Sequence, residues 1–224
     1  RIPGWVQFHT VDILDAIRAA DFVVSDSGGV LMPPELAEKK IGIGEGIYRM
    51  GIGGLHSSEK KQVIEKKEGY RLTDFDVVSY YPWILLNQGL YPYQIGPTFL
   101  KVYDTIVWQR LEAKRTGKKA ISEALKIAIN GTFGKLSSKW SALYSPDLFI
   151  QIVITGQLAL LMLIERLAVL PEVSVVSANT DGVTVSNVSD PTRLALPVPP
   201  TSQPSPAATS VSCSGFLKKT YFSA

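Results

Sequence analysis

Residues 148–170 read "LFIQIVITGQLALLMLIERLAVL", and Pro171 ends the run. An apolar stretch of this length must leave water, either into lipid or into a protein core. Gln151, Gln157, Glu165 and Arg166 interrupt it, and such side chains are costly in a hydrocarbon layer. The run therefore predicts a long helix buried inside a globular fold, and the rest of the chain has to supply the elements that cover it. With 46% of its 224 residues apolar, the chain has the material for such a core, in one large domain or two small ones.

Charge and cysteine content narrow the classes further. The formal net charge of +3 and a pI near 8.9 allow a polyanionic partner without requiring one. The single Cys213 excludes an internal disulfide framework and a Cys-rich zinc site. No secretory signal pattern leads the chain, and its first residue is Arg1 rather than Met, which reads as a fragment or a processed chain.

Along the chain, "VDILDAIRAADFVVSD" predicts a helix and then a short strand, turned by "SGG". Residues 41–57 are dense in glycine and carry no Walker pattern. They are either turns with a hairpin or a loop that lets a ligand approach the backbone. "SSEKKQVIEKKEGY" is a charged, solvated stretch. Residues 72–81 predict a strand stopped by Pro82, followed by a short helix through "WILLNQG". Residues 101–135 predict two helical pieces broken near Thr116 and Gly117, the first rich in cations. "VSVVSANTDGVTVSN" predicts two strands joined by a tight turn over 179–182. Six prolines then fall between Pro191 and Pro206 among Ser, Thr and Ala, the composition of a linker or tail. No internal repeat is visible.

The chemistry lies in the acids. On a strand, Asp74 and Asp76 share one face, and a carboxylate there must be paired, hold a metal or face water. Asp181 sits in the turn between the two later strands. Read alone, that turn is an ordinary hairpin turn. Read with the strand acids, it completes a set of carboxylates on neighbouring strands. Such a set suits Mg²⁺, which favours one or two carboxylates plus substrate phosphate oxygens. Two such ions about 3.5–4 Å apart activate an attacking oxygen and neutralise a leaving one. In "LKIAINGTFGKL", Lys126, Asn130 and Phe133 or Gly134 share a helix face. That places a cation for a triphosphate beside an aromatic ring for a base.

Taken in order, these segments resemble family B DNA polymerases. "DVVSYYP" (76–82) is similar to the family's first motif, Asp-x-x-Ser-Leu-Tyr-Pro, with Tyr80 in place of Leu. "KIAINGTFG" (126–134) is similar to the second, Lys-x-x-x-Asn-Ser-x-Tyr-Gly, with Gly131 for Ser and Phe133 for Tyr. "ANTDGV" (178–183) is similar to the third, Asp-Thr-Asp-Ser, with Asn179 for the first Asp and Gly182 for Ser. "GIGGLHS" lies where the family's Tyr-x-Gly-Gly joins exonuclease and polymerase regions, with Gly51 for Tyr. "KKTYF" resembles the Lys-x-Tyr motif, at a short spacing like that of the protein-primed branch. The resemblance covers residues 48–186 and extends to 218–222. Residues 1–40 are too short for the family's exonuclease domain and hold no Asp-x-Glu pair.

The resemblance implies an α/β (α+β) fold: a polymerase palm of antiparallel strands backed by helices, with fingers formed by a helical hairpin. It divides the chain into an N-terminal segment (1–70), palm (71–100), fingers (101–135), palm again (136–189), a Pro/Ser-rich linker or tail (190–213) and the start of a thumb (214–224). It implies a DNA-directed DNA polymerase core that adds dNTPs to a primer 3′ end. Asp76, Asp181 and the carbonyl of Val77 would hold two Mg²⁺ ions, with Mn²⁺ as a substitute, and the two acids would be the catalytic residues. Asp74 would be a helper or a salt-bridged neighbour. Tyr81 would pack under the sugar and exclude a 2′-hydroxyl. Lys126 with one or two of Arg110, Lys114 and Arg115 would hold the triphosphate, and Asn130 and Phe133 would border the base pair. Gly53, Gly54, Thr180, Lys219 and Tyr221 would face DNA.

The implied partners are a primer-template, dNTPs and a terminal protein or replication accessory proteins, with no membrane. The implied place is the cytoplasm of the host of a phage or mobile element, not a secreted one. Two other classes stay open: a catalytically impaired nucleic-acid-binding relic of a polymerase, and an unrelated Mg²⁺-dependent nuclease or phosphotransferase using Asp74, Asp76 and Asp181. Asn179 removes one family carboxylate, and the Pro-rich tail stands where a thumb is expected.

Overall fold

The computed structural model describes residues 2–9, 12–59, 69–188 and 217–221. The Pro/Ser-rich stretch 190–213 lies outside the described residues, as does most of the charged stretch that precedes the first polymerase-like motif. The chain is a mixture of helices and antiparallel sheet, and it divides into two compact units.

The first unit comprises Arg1–Ala19, Pro34–Val78 and Gln157–Ala224. It contains α1 (Leu14–Ala19), α2 (Pro34–Ala37) and the sheet strands β1 (Ile41–Ile43), β2 (Gly46–Gly51), β3 (Gly54–Ser57), β4 (Tyr70–Val77), β5 (Val173–Asn179), β6 (Gly182–Val188) and β7 (Leu217–Tyr221). Every pairing is antiparallel, in the order β1-β2-β3-β5-β6-β4-β7. The glycine-dense segment is thus a three-stranded meander. Ile41, Ile43, Tyr48 and Met50 alternate inward along β1 and β2, the two-residue period of a half-buried strand. Val183 and Val185 do the same on β6.

The long helix α6 (Pro146–Ala168) is where the apolar run was expected. Its residues 157–168 belong to the first unit, with Leu158, Leu161, Ile164 and Leu167 buried at helical spacing. Among the described residues α6 alone is long and apolar enough to cross a membrane, and 67% of its most apolar window is buried inside the fold. Its polar residues serve the backbone. The buried Gln157 amide accepts from Gly51 N–H and donates to Gly51 C=O, both at 3.0 Å. The buried Glu165 carboxylate accepts from His9 N–H at 3.1 and 3.0 Å.

The second unit comprises Ala20–Pro33 and Ser79–Gly156. It contains α3 (Tyr80–Asn87), α4 (Thr98–Arg115), α5 (Lys119–Lys135) and residues 146–156 of α6. Leu85, Phe99, Tyr103, Val107, Ile129, Leu136, Leu148 and Ile152 form its core. α4 and α5 make the expected helical hairpin. Gly117, at φ 72°, closes α4: Lys118 N–H reaches Ala113 C=O at 2.8 Å and Gly117 N–H reaches Lys114 C=O at 3.3 Å. This is the paired-bond C-terminal cap in which glycine takes the left-handed position. Tyr103 Oη donates to Ile129 C=O at 3.1 Å and joins the two helices.

One element differs from the sequence reading. The strand expected over 72–81 ends at Val77, and Pro82 does not stop it. Pro82 lies in the first turn of α3, where the first N–H groups have no helical acceptor and a proline loses nothing. The chain leaves the strand at Ser79, which adopts the left-handed conformation at φ 56° and ψ 47°.

Candidate functional site

In the first unit the register of β4 on β6 decides where the acids meet. Asp76 pairs with Gly182, next to Asp181. Val77 N–H donates to Asp181 C=O at 2.9 Å. A Cβ placed on Gly182 would lie 3.1 Å from Phe75 C=O and 3.7 Å from Asp76 Oδ1. Asp76, Val77 and Asp181 are therefore neighbours on adjacent antiparallel strands. Asp74, two residues back along β4, accepts a hydrogen bond at 2.9 Å from Thr184 Oγ1, its cross-strand partner in the register.

The electrostatics agree with the geometry. Burial raises the Asp181 carboxyl above its ordinary value, the neighbouring Asp76 raises it further, and Asp74 adds a smaller push. A hydrogen bond from its own backbone opposes them. A half-buried carboxylate beside another carboxylate favours the protonated form until a cation arrives. Among the described residues no group of three or more His, Cys, Asp or Glu side chains is arranged around one metal position. The candidate donors are the carboxylate pair and a backbone carbonyl. They fit Mg²⁺ or Mn²⁺ of the kind that takes its remaining ligands from water and phosphate.

The turn that carries Asp181 is held by the glycine-dense segment. Thr180 sits at φ 50°, its N–H donates to Leu55 C=O at 2.8 Å, and its hydroxyl donates to Asn179 Oδ1 at 3.0 Å. Gly54, at φ +147°, lies directly against it: an added Cβ would sit 2.9 Å from Thr180 Oγ1 and 3.0 Å from Thr180 Cα. Gly53 and Gly54 therefore stand beside Thr180 and Asp181, although more than a hundred residues separate them in the chain. Ser57 fastens the same edge. Its Oγ donates to Ala178 C=O at 2.9 Å and accepts from Ala178 N–H at 2.7 Å. On the outer strand, Lys219 is opposite Phe75 and Tyr221 opposite Thr73 in the register. The segment read as the start of a thumb contributes this strand to the sheet.

The second unit gathers the other candidates. Tyr81 stacks on Phe133, with centroids 4.7 Å apart and planes 23° from parallel, and Phe133 continues onto Phe149 at 5.2 Å. The tyrosine of the first motif and the aromatic of the second thus meet. Tyr80 Oη donates to Gly156 C=O at 2.6 Å. Lys126 and Asn130 are exposed on α5, one turn apart. Lys114 is exposed on α4, and the exposed Arg115 is paired with Glu112 at 2.6 Å.

Arg110 is different in kind: it is buried, and its Nη1 donates to Ser79 Oγ. Its Nε is buried without a partner, and burial lowers its pKa against an opposing pull from Glu123. It braces the left-handed residue at the start of α3, a role not visible in a cation count. Gln157, which positions Gly51, was also missed as a site residue. The signal was a single amide in an apolar helix. No protein-family model matches the chain, and no curated protein matches it.

Proposed function

We propose that the chain is the palm and fingers core of a DNA-directed DNA polymerase resembling family B. One observation carries the reading: Asp76 and Asp181 lie side by side on β4 and β6, with Asp181 held toward its protonated form by burial and by Asp76. In this reading the first unit supplies the palm, and α4 with α5 supplies the fingers hairpin.

Asp76, Asp181 and the Val77 carbonyl would hold the divalent cations, which supply charge neutralisation at the attacking and leaving oxygens. The reaction is attack of a primer 3′-hydroxyl on the α-phosphate of a dNTP, with pyrophosphate leaving. The chain's own share is positioning and fixed charge. Tyr81, backed by Phe133, presents a rigid ring to the sugar and excludes a 2′-hydroxyl. Lys126 and Lys114 supply cations for the triphosphate, Asn130 borders the base pair, and Arg110 fixes the Ser79 turn from which Tyr81 projects. Gly53, Gly54 and Thr180 offer a side-chain-poor surface to nucleic acid backbone, and Lys219 and Tyr221 extend the DNA-facing set. Partners beyond DNA and dNTPs, including a terminal protein, belong to the same proposal.

The test is extension of a labelled primer-template in Mg²⁺ or Mn²⁺. The wild-type chain lengthens the primer, and Asp76→Ala and Asp181→Ala abolish lengthening while retaining DNA binding. Shortening of the primer without dNTPs points instead to a nuclease. Binding without extension points to a relic.

A further inference from the structure

Three segments of the second unit are stitched together by side chains. Gln94 Nε2 donates to Ala142 C=O at 2.9 Å and to Tyr144 C=O at 3.0 Å. Tyr144 Oη donates to Gly28 C=O at 2.9 Å, and Lys139 Nζ donates to Asp26 C=O at 3.0 Å. Gly28, at φ +88°, packs so closely that a Cβ there would lie 2.7 Å from Lys139 Cβ. The loops around 25–29, 91–96 and 137–145 are thus pinned to one another through backbone carbonyls.

On this base stand the two most exposed large hydrophobic side chains among the described residues, Tyr93 at 94% and Trp140 at 88%. Neither ring is used to cover the core. Lys139 Nζ lies 5.2 Å from the centroid of the Trp140 ring. An ammonium carries three donors, and the Asp26 carbonyl takes one. The unit that bears these loops has nine Lys and Arg against six Asp and Glu, a formal charge of +3.

Exposed rings on a pinned base, with a cation beside one of them and a positive surround, match one ligand chemistry. Unpaired bases stack on aromatic faces whatever their sequence, and their phosphates follow positive charge. A protein partner would have to strip water from Lys139 where it covers the ring, whereas a polyanion gains from that charge. We propose that Tyr93 and Trp140 form a stacking platform for the bases of single-stranded nucleic acid, with Lys139 directed at its backbone. The platform draws only on the nucleic-acid part of the polymerase reading. It is tested without metal or dNTP, so its failure and the failure of the carboxylate site are separable.

The experiment is fluorescence anisotropy of the full chain with a labelled oligothymidylate of about 16 nucleotides, repeated with a duplex of equal length. Trp140→Ala and Tyr93→Ala each weaken single-strand binding about tenfold, in line with the loss of one stacked base. Both leave duplex binding and the melting temperature unchanged. Lys139→Ala weakens it less and lowers the slope of log K against log salt by about one. Trp108→Ala, which removes a ring lying edge-on against Trp83, leaves the affinity for single strands at the wild-type value. Wild-type affinity in both the Trp140 and Tyr93 variants overturns the proposal and leaves the platform to a protein partner. Equal loss on duplex and single strand overturns it too, because paired bases have no free face to stack.

Discussion

Gly54→Ala isolates the approach of the glycine-dense segment to the turn that carries Asp181. At φ +147° an L side chain is strained, at a cost of about 1–3 kcal/mol. The new methyl would also stand 2.9 Å from Thr180 Oγ1 and 3.0 Å from both Thr180 Cα and Cγ2. The side-chain atoms can rotate away, but the Cα can retreat only by stretching the 2.8 Å bond from Thr180 N–H to Leu55 C=O. Overpacking of this kind adds about 1–3 kcal/mol. Together they predict a loss of about 4 kcal/mol, or a fall of roughly 8–16 °C in melting temperature for a chain of this size. Gly53→Ala is the control, since its Cβ meets nothing within 4 Å, and it changes the melting temperature little. Circular dichroism melts of both variants give the comparison. Gly54→Ala combined with Thr180→Gly recovers part of the loss, because the clash partner is gone and the left-handed position at 180 prefers glycine. If Gly54→Ala melts with Gly53→Ala, the close approach is wrong and the turn is not seated on this segment.

Asp181→Asn bears on the same turn through pH. The raised pKa of Asp181 means that the folded chain holds this proton more tightly than the unfolded one, so its stability contribution is present below the ordinary Asp value of about 3.9 and is lost as pH rises through the raised value. The variant is therefore more stable than wild type at pH 7, with the gap closing toward pH 3 in paired melts; a gap independent of pH contradicts this. Gln157→Leu leaves Gly51 N–H and C=O without the amide that satisfies both and costs about 3 kcal/mol, read by denaturant unfolding, and a neutral result would detach α6 from the glycine-dense segment. Gly117→Ala forces a Cβ into the left-handed cap of α4 and costs about 1 kcal/mol, measured the same way, whereas a stabilising effect would refute the cap.

The residues that announced themselves in the sequence were those whose reasons are local. Thr116 and Gly117 broke the cationic stretch into a hairpin because glycine closes a helix there. Asn179 to Gly182 turned two β-branched runs into β5 and β6. Asp74 and Asp76 needed only the two-residue period of a strand to share a face. Pro82 misled because proline ends a strand and also opens a helix, and the left-handed Ser79 that chooses between them depends on the buried Arg110. Gly54 could be read as turn or ligand loop, because the atom it must avoid belongs to Thr180, far along the chain. Gln157 was visible as an argument against lipid, but its partner on β2 is a tertiary fact. The rings of Tyr93 and Trp140 gave no signal at all, since exposure has no sequence pattern.

Binding of Mn²⁺ in solution, followed by electron paramagnetic resonance as the free-ion signal falls, addresses the pairing of Asp76 with Asp181. The wild-type chain removes Mn²⁺ from solution, and Asp76→Asn or Asp181→Asn alone weakens binding by at least tenfold, because each supplies half of one carboxylate pair. A wild-type chain that leaves the signal untouched, or two variants that bind as wild type does, would contradict a shared cation at these strands.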